Sequence, residues 1–381
     1  NRVRTMLLDG GQLILGGDFT FINSVERWRL IMVSPTTGAI VQTPAGVQGS
    51  VYSLSVYNGV LYVGGTFNAV GSSGAIGGNA RVNRSTGLYI GTNEWGNVLY
   101  SKVVNGMLFI ASSTIGMAKF KTSTLTKPDD AKFYTGNTTA LGFSGSKVFA
   151  AGSMTTYDPY YSRNLAIIDA STGELSGTLD SYIFFPYREL WGYPRPDAKV
   201  SSMIIVGDTL MIAGAFGSVL VGPQFSGGTI SRLRLAGMVL SDFSITDLSL
   251  DFTINNTYYS TVDKILYYGN QLYIFGNFNK VNNQTRGFAA KYDLATRTLS
   301  SWNPAFAYQP TFRSTLGVSG KLFLSGAYYI VDNYYAVIKV DTGTAAVSHF
   351  ANGITGNGNF ISANATKLFI SGDYFYNGQD Y

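Results

Sequence analysis

The sequence predicts an all-β protein, a β-propeller of four-stranded antiparallel blades, with seven blades favoured over eight. Three observations lead to this prediction: a hairpin motif that occurs eight times, a second strand–turn–strand motif between its copies, and a period near fifty residues. Of the 381 residues, 45% are apolar and only 13% are charged, against a usual charged share of about 25%. Such a composition is typical of turn-rich β-structured surfaces of extracellular proteins or virions.

The first motif is clearest in residues 58–67, where a turn pair is followed by Val60-Leu61-Tyr62-Val63-Gly64-Gly65-Thr66-Phe67. The Asn-Gly turn supplies positive φ angles, which match the twist of a hairpin. The aliphatic residue Leu61, the glycine four positions later (Gly65) and the aromatic residue six positions later (Phe67) share one strand face. A glycine inside a strand marks a close approach of other atoms, which we interpret as packing relief toward a neighbouring sheet. The glycine positions are Gly17, Gly65, Gly152, Gly214, Gly276, Gly326 and Gly372, and the aromatic positions are Phe19, Phe67, Phe216, Phe278, Tyr328 and Tyr374.

The second motif is a strand, a Thr-Gly turn and another strand, as in residues 29–40. Weaker copies are residues 80–87, 165–173 and 337–343, and residues 289–296 follow the pattern without the glycine. One hairpin of each kind makes a four-stranded blade. Eight first hairpins but seven second hairpins are present, which leaves two arrangements. Either seven blades close with a supplementary terminal hairpin, or an eighth blade is completed by residues absent here or by another chain.

One propeller domain is expected to span residues 1–381, with loop insertions at about 181–197 and 217–230. The chain starts at Asn1 and not at Met, so we expect a processed N-terminus or an excerpt of a longer protein. The first insertion combines aromatic residues, arginines and prolines, a composition found at interface hot spots and suited to sugar rings. An equally weighted alternative is that this loop folds onto its own blade. The candidate binding residues are Tyr182, Phe184, Phe185, Tyr187, Arg188, Trp191, Tyr193 and Arg195, with Tyr157, Tyr160 and Tyr161 from the preceding blade.

The combination of Leu-Tyr-Val-Gly-Gly-Thr-Phe, Ala-Arg-Val-Asn and Ser-Thr-Gly resembles an uncharacterised family of G-G-x-F, kelch-like propeller repeats. Members occur in bacterial secreted proteins and in phage-associated proteins. The resemblance covers nearly the whole chain and includes no catalytic motif. The chain departs from the family pattern at residues 108–115, where Ser112 and Thr114 replace glycine and phenylalanine. The resemblance implies a surface or structural role, although propellers host many functions.

The charged residues are dispersed. The net charge is +5, but the nearest approach to a basic cluster is Arg27/Arg29 and Arg232/Arg234, which we interpret as exposed strand charges. Nucleic-acid binding favours a basic stripe, so we predict no nucleic-acid partner. No apolar segment is long enough to span a bilayer without a turn, and we predict no membrane insertion.

Few residues are suited to catalysis or metal binding. The chain has no cysteine and a single histidine, His349, which argues against a zinc or copper site, and we expect neither metal nor cofactor. Its glutamates are Glu26, Glu94, Glu174 and Glu189, and no nucleophile or phosphate-loop motif is present.

The predicted function is therefore non-enzymatic: a virion-surface or secreted propeller that binds a protein or glycan through loops on one face, or a structural unit of an assembly. Neighbouring subunits of such an assembly are further expected partners. The alternative is a carbohydrate-active enzyme with aspartates at the channel mouth, which would need a pair of carboxylates at a set separation.

Overall fold

The computed structural model describes most of the chain as antiparallel β-sheet. The described residues are 2–22, 25–73, 77–93, 96–112, 116–123, 134–157, 165–171, 183–185, 199–220, 228–255, 260–304, 306, 308–330, 333–350, 354–363, 367–376 and 379–380. They include no helix long and apolar enough to cross a membrane. They group into two compact units, unit 1 (Asn1–Ala150, Met154–Tyr161, Ile167–Ser176) and unit 2 (Ala151–Ser153, Ser162–Ala166, Gly177–Tyr381). The single-domain assignment stays a prediction.

Unit 1 contains the first three repeats and most of the fourth. Each repeat begins with a hairpin of two strands, called its first and second strands, and includes the strands that follow this hairpin. The sheet orders are β1-β2-β5-β6, β10-β9-β8-β7, and a six-stranded β11-β12-β13-β14-β15-β16 in which repeats 3 and 4 join. The strands are β1 (Val3–Asp9), β2 (Gln12–Gly17), β3 (Phe21–Ile22), β4 (Val25–Glu26), β5 (Leu30–Val33), β6 (Ile40–Gln42), β7 (Val47–Tyr57), β8 (Val60–Val70), β9 (Asn79–Asn83), β10 (Tyr89–Asn93), β11 (Val98–Val104), β12 (Met107–Ser112), β13 (Gly116–Lys121), β14 (Tyr134–Ser144), β15 (Lys147–Tyr157) and β16 (Leu165–Asp169).

Unit 2 contains repeats 5 to 8, with main sheets β18-β19-β22, β24-β25-β28-β29, and a seven-stranded sheet that joins repeats 7 and 8. Four main strands are present in repeats 1, 2, 6 and 7. The preference for seven blades over eight stays a prediction. The strands are β17 (Ile183–Phe185), β18 (Lys199–Val206), β19 (Thr209–Ala215), β20 (Ser218–Leu220), β21 (Thr229–Ser231), β22 (Leu235–Val239), β23 (Phe252–Thr253), β24 (Lys264–Tyr268), β25 (Gln271–Phe275), β26 (Lys280–Val281), β27 (Gln284–Thr285), β28 (Ala289–Asp293), β29 (Thr298–Leu299), β30 (Thr311–Val318), β31 (Lys321–Ile330), β32 (Asn333–Asp341), β33 (Val347–His349), β34 (Thr355–Ala363), β35 (Leu368–Tyr376) and β36 (Gln379–Asp380).

Short accessory strands lie between the second and third strands of several repeats. They include the pair β3–β4 in repeat 1, β20–β21 in repeat 5 and β26–β27 in repeat 6. The loop insertions predicted at 181–197 and 217–230 contact each other through such strands, because β17 pairs with β20 and Phe184 lies opposite Val219. Part of each predicted loop is therefore strand, stabilised by main-chain hydrogen bonds that form between segments distant in sequence.

The core lies between the sheets of successive repeats. One apolar cluster in unit 1 combines Ile14 and Met32 of repeat 1 with Leu61 and Val63 of repeat 2. In unit 2, Tyr273 and Phe275 of repeat 6 pack with strands of repeat 7. The described motif aromatics Phe19, Phe67, Phe216, Phe278 and Tyr328 are all at most 4% exposed.

The motif glycines accommodate the backbone of their own hairpin. A Cβ on Gly326 would lie 1.7 Å from the carbonyl oxygen of Thr311 in β30, far inside van der Waals contact. A β-bulge lies directly after the pairing partner of the glycine in repeats 1, 2, 5, 7 and 8. Equivalent approaches occur at Gly17 (2.0 Å, Arg2), Gly65 (2.0 Å, Ser50), Gly214 (1.9 Å, Lys199), Gly276 (2.2 Å, Thr261) and Gly372 (2.1 Å, Asn357).

The preceding glycine of the Gly-Gly pair provides the relief toward the next sheet. A Cβ on Gly16 would lie 2.5 Å from Cγ1 of Val51, and a Cβ on Gly64 would lie 2.7 Å from Cγ1 of Val98. Each valine belongs to the first strand of the next repeat. The interpretation that the motif glycine itself relieves sheet packing is therefore wrong, since the bulged strand of its own hairpin occupies that space.

The paired arginines connect successive repeats. Arg234 is 4% exposed, and its Nε and Nη1 donate to the carbonyl oxygens of Ser260 and Phe216, both at 2.5 Å. Arg29 Nη1 donates to the carbonyl oxygen of Val47, the first residue of β7, at 3.0 Å. The prediction of exposed strand charges is wrong for Arg234, because its guanidinium satisfies buried carbonyl groups at a junction between repeats.

A serine after the bulge forms a second connection between repeats. The hydroxyl oxygens of Ser53, Ser202 and Ser314 accept the backbone N–H of Ser101, Ile265 and Ile361 at 2.6, 3.3 and 3.3 Å. Each acceptor lies in the first strand of one repeat and each donor lies in or beside the first strand of the next. The side chain thus supplies an acceptor between two first strands that do not pair with each other.

Replacing Ser53 with alanine is expected to lower the free energy of unfolding by about 2 kcal/mol, because the buried N–H of Ser101 loses its acceptor. Urea unfolding followed by tryptophan fluorescence measures this change. The control is Ser72→Ala at an exposed turn, which should leave the midpoint unchanged. Equal midpoints for both variants would contradict the connection.

Candidate functional site

In each unit the candidate site is the accessory end, the end of that unit's repeats at which the first strands begin and the accessory strands lie. In unit 1, Arg4 of β1 forms an ion pair with Asp18 at 2.6 Å, and its Cζ lies 4.9 Å from the ring centroid of Tyr52. Burial raises the pKa of Asp18, but the hydrogen bonds from Arg4 and Ser50 outweigh burial and the net pKa is lowered. The carboxylate of Asp18 is therefore held ionised by a cation.

In unit 2 the same end carries Asp263 and Lys264, where β24 begins. Burial raises the pKa of the Asp263 carboxyl, against the opposing effects of a hydrogen bond from Thr261 and of Lys264 and Lys199. Burial also lowers the pKa of Lys264, and Lys199 lowers it further by repulsion. In repeats 7 and 8, Arg313 donates to Asn359 Oδ1 at 2.5 Å. Polar groups of successive repeats thus contact one another at this end.

Exposed aromatic side chains are concentrated at the accessory end. Of the six large aromatics exposed in the part of the chain that the structure describes, only Tyr267 lies beside a tight hairpin turn at the other end. The indole Nε1 of Trp28 donates to Glu26 Oε1 at 2.7 Å, so a ring face and a carboxylate lie side by side. The five aromatics of the accessory end are Phe21 (50% exposed), Trp28 (42%), Tyr100 (51%), Tyr308 (62%) and Tyr334 (60%).

Most of the binding residues predicted from the sequence lie outside the described residues. Phe184 and Phe185 are described as backbone of β17, and Tyr157 as backbone of β15, but their side chains lie outside the description. The other predicted binding residues lie wholly outside the described residues: Tyr160, Tyr161, Tyr182, Tyr187, Arg188, Trp191, Tyr193 and Arg195. In the hairpin motif, Thr114 also lies outside the described residues, and the side chains of Met154 and Tyr374, at the aromatic position of repeats 4 and 8, are not described. Their binding role stays a prediction.

Sequence reasoning missed the five exposed aromatics of the accessory end. Phe21 and Trp28 directly follow the first motif in repeat 1. The segments that follow this motif in repeats 5 and 6 contain accessory strands. That position was the available signal. Their exposure could not be read from it, because Phe288 follows the same motif in repeat 6 and packs partly buried against the core.

Two carboxylates of the accessory end interact with neighbouring cations. The charged groups that act on Asp18 are Arg2 and Arg4, and those that act on Asp263 are Lys199 and Lys264. His349 lies at the end of β33 and stacks on Tyr335 with ring centroids 5.4 Å apart. Among the described residues, no three His, Asp or Glu side chains are grouped as metal ligands.

Comparison with known proteins identifies the fold. No protein-family model and no curated protein match the sequence. The structure is similar to that of the computationally designed Ika8 protein, with a TM-score of 0.59 and 10% identity over 100% of this chain and 95% of that chain. BamB from Moraxella catarrhalis also gives 0.59 and 10% identity, over 97% of this chain and 94% of that chain. These neighbours are β-propellers, which confirms the predicted fold class. Resemblance to the G-G-x-F family stays a prediction.

Proposed function

We propose that this chain is a non-enzymatic binding propeller of a virion surface or a secreted protein, whose accessory end contacts a protein or a glycan. A phage tail or receptor-binding component and an extracellular filament or adhesin are the settings that fit this role. An alternative within the same class is a structural unit of a larger assembly. The concentration of exposed aromatic side chains at one end of the repeats is the observation on which the proposal depends.

Two features of the accessory end favour recognition over catalysis. Aromatic residues supply large, rigid contact area and dominate binding energy at interfaces. A ring face beside a carboxylate, as at Trp28 and Glu26, also suits a sugar, since the ring contacts apolar C–H groups and the carboxylate accepts hydroxyl hydrogen bonds. The carboxylates of Asp18 and Asp263 interact with cations and so do not support a glycosidase pair.

Binding to a panel of immobilised oligosaccharides tests the proposal. Replacing Trp28 with alanine is expected to weaken glycan binding about thirtyfold, equivalent to about 2 kcal/mol at a hot-spot aromatic, with little change in melting temperature. Tyr267→Ala is the control, because this exposed tyrosine lies beside a hairpin turn at the other end. Equal weakening by both changes would contradict binding at the accessory end, and release of reducing sugar ends from the panel would favour the glycan-acting enzyme.

A further inference from the structure

A cavity of about 270 Å³ lies in unit 2 between repeats 5 and 6. It lies at the turn end, the end that carries the tight turns after β18 and β28. Its walls include Val206 and Met211 from repeat 5, Leu248 from the segment between the repeats, and Tyr292 from β28. The volume lies just below the range of drug-sized ligand pockets, roughly 300–1,000 Å³. The cavity therefore suits a small ligand with an apolar branch.

A cation and an anion lie together on the lining of this cavity. Arg297 Nη1 donates to Asp247 Oδ2, and the two side chains are 68% and 70% exposed. This hydrogen bond uses one guanidinium nitrogen and one carboxylate oxygen. Arginine has five N–H donors and aspartate has two acceptor oxygens, so both groups have further hydrogen-bonding capacity toward a ligand.

The backbone at Arg297 is of a kind that an ordinary turn residue avoids. Its φ is 57°, in the left-handed region, which is unfavourable for residues with a Cβ. The equivalent turn position is Gly38 in repeat 1 and Gly87 in repeat 2, both with φ of 73°. Phe243 and Ala345 occupy it in repeats 5 and 7, so among these five described turns only repeat 6 places a charged residue there.

We propose that this cavity binds an apolar α-amino acid in its zwitterionic form. The ligand carboxylate accepts hydrogen bonds from the guanidinium of Arg297, the ligand ammonium donates to Asp247, and the apolar side chain enters the space beside Met211 and Tyr292. The ion pair would not favour a purely apolar ligand, and the side chains of Val206, Met211 and Leu248 favour a ligand with an apolar branch over a sugar. This inference concerns the turn end and does not depend on the function proposed for the accessory end.

Isothermal titration calorimetry with L-phenylalanine, L-leucine and L-methionine tests the proposal on the whole chain. At least one of them is expected to bind at submillimolar to millimolar concentration. For that amino acid, the N-acetyl derivative (no ammonium) and the amide (no carboxylate) are expected to bind at least tenfold more weakly. Absence of binding by all three amino acids, or equal binding of the N-acetyl derivative, would overturn the proposal.

The variant Arg297→Gly separates ligand recognition from folding. It introduces the residue that repeats 1 and 2 carry at this turn position, so the melting temperature should stay equal or rise, while amino-acid affinity falls at least tenfold. Ala345→Gly makes the same backbone change in repeat 7 and should leave affinity unchanged. Asp247→Asn should weaken binding of the amino acid more than binding of its N-acetyl derivative. Full affinity in the folded Arg297→Gly variant would show that the site is wrongly assigned.

Discussion

Replacing Gly326 with alanine is expected to destabilise the protein by about 3 kcal/mol or more, the upper range of substitutions that force atoms into occupied space. The new Cβ would lie 1.7 Å from the carbonyl oxygen of Thr311 and 3.0 Å from the hydroxyl of Tyr328. Relief requires movement of β30 or β31, and both strands contribute side chains to the core of repeats 6 and 7. Chemical unfolding followed by circular dichroism measures the change.

Gly343 is the matched control for this substitution. It lies in the same repeat, its backbone has no left-handed φ, and a Cβ there would meet only Asp341 Oδ1 at 3.4 Å. Gly343→Ala should change the free energy of unfolding by less than about 1 kcal/mol. Similar unfolding midpoints for the two alanine variants would show that β30 does not approach the motif glycine as closely as the structure indicates.

Replacing Arg234 with alanine is expected to cost about 3 kcal/mol. Its guanidinium is buried and donates to the carbonyl oxygens of Ser260 and Phe216. Its removal deprives the carbonyl oxygen of Ser260 of this donor and leaves that of Phe216 with the backbone N–H of residue 234. The midpoint of urea unfolding should fall clearly, since the space of the buried guanidinium is emptied and repeat 5 loses its hydrogen bond to Ser260.

The control for this change is Arg313→Ala. Arg313 is exposed and donates to the half-buried side chain of Asn359, and a hydrogen bond from an exposed guanidinium contributes less than about 1 kcal/mol to folding. A small effect for Arg313→Ala with a large one for Arg234→Ala is the expected outcome. If Arg234→Ala unfolded at the wild-type urea concentration, the buried arginine would have no stabilising role at the junction.

The candidate site could be predicted from the sequence only in part. The aromatic loop at 181–197 is visible as a departure from the repeat period, and its segment Ile183–Phe185 pairs with β20. Trp28 and Phe21 gave no comparable signal, since Phe288 also follows the motif in repeat 6 and packs partly buried against the core. Exposure depends on which neighbouring segments cover a side chain, and those segments are distant in sequence. The ion pair of Arg297 with Asp247 joins residues fifty positions apart and has the same limitation.

The sequence by itself determined the eight hairpins, their turns and the face that carries the glycine and the aromatic residue. These are local properties, because alternation with a period of two and positive φ at a turn act within about ten residues. The tertiary structure decided what each residue meets: the carbonyl oxygen of Thr311 at Gly326, the valine of the next repeat at Gly16, and buried acceptors at Arg234. Such contacts arise when separate strands are brought together, so they depend on the arrangement of the sheets and on which distant segments become neighbours.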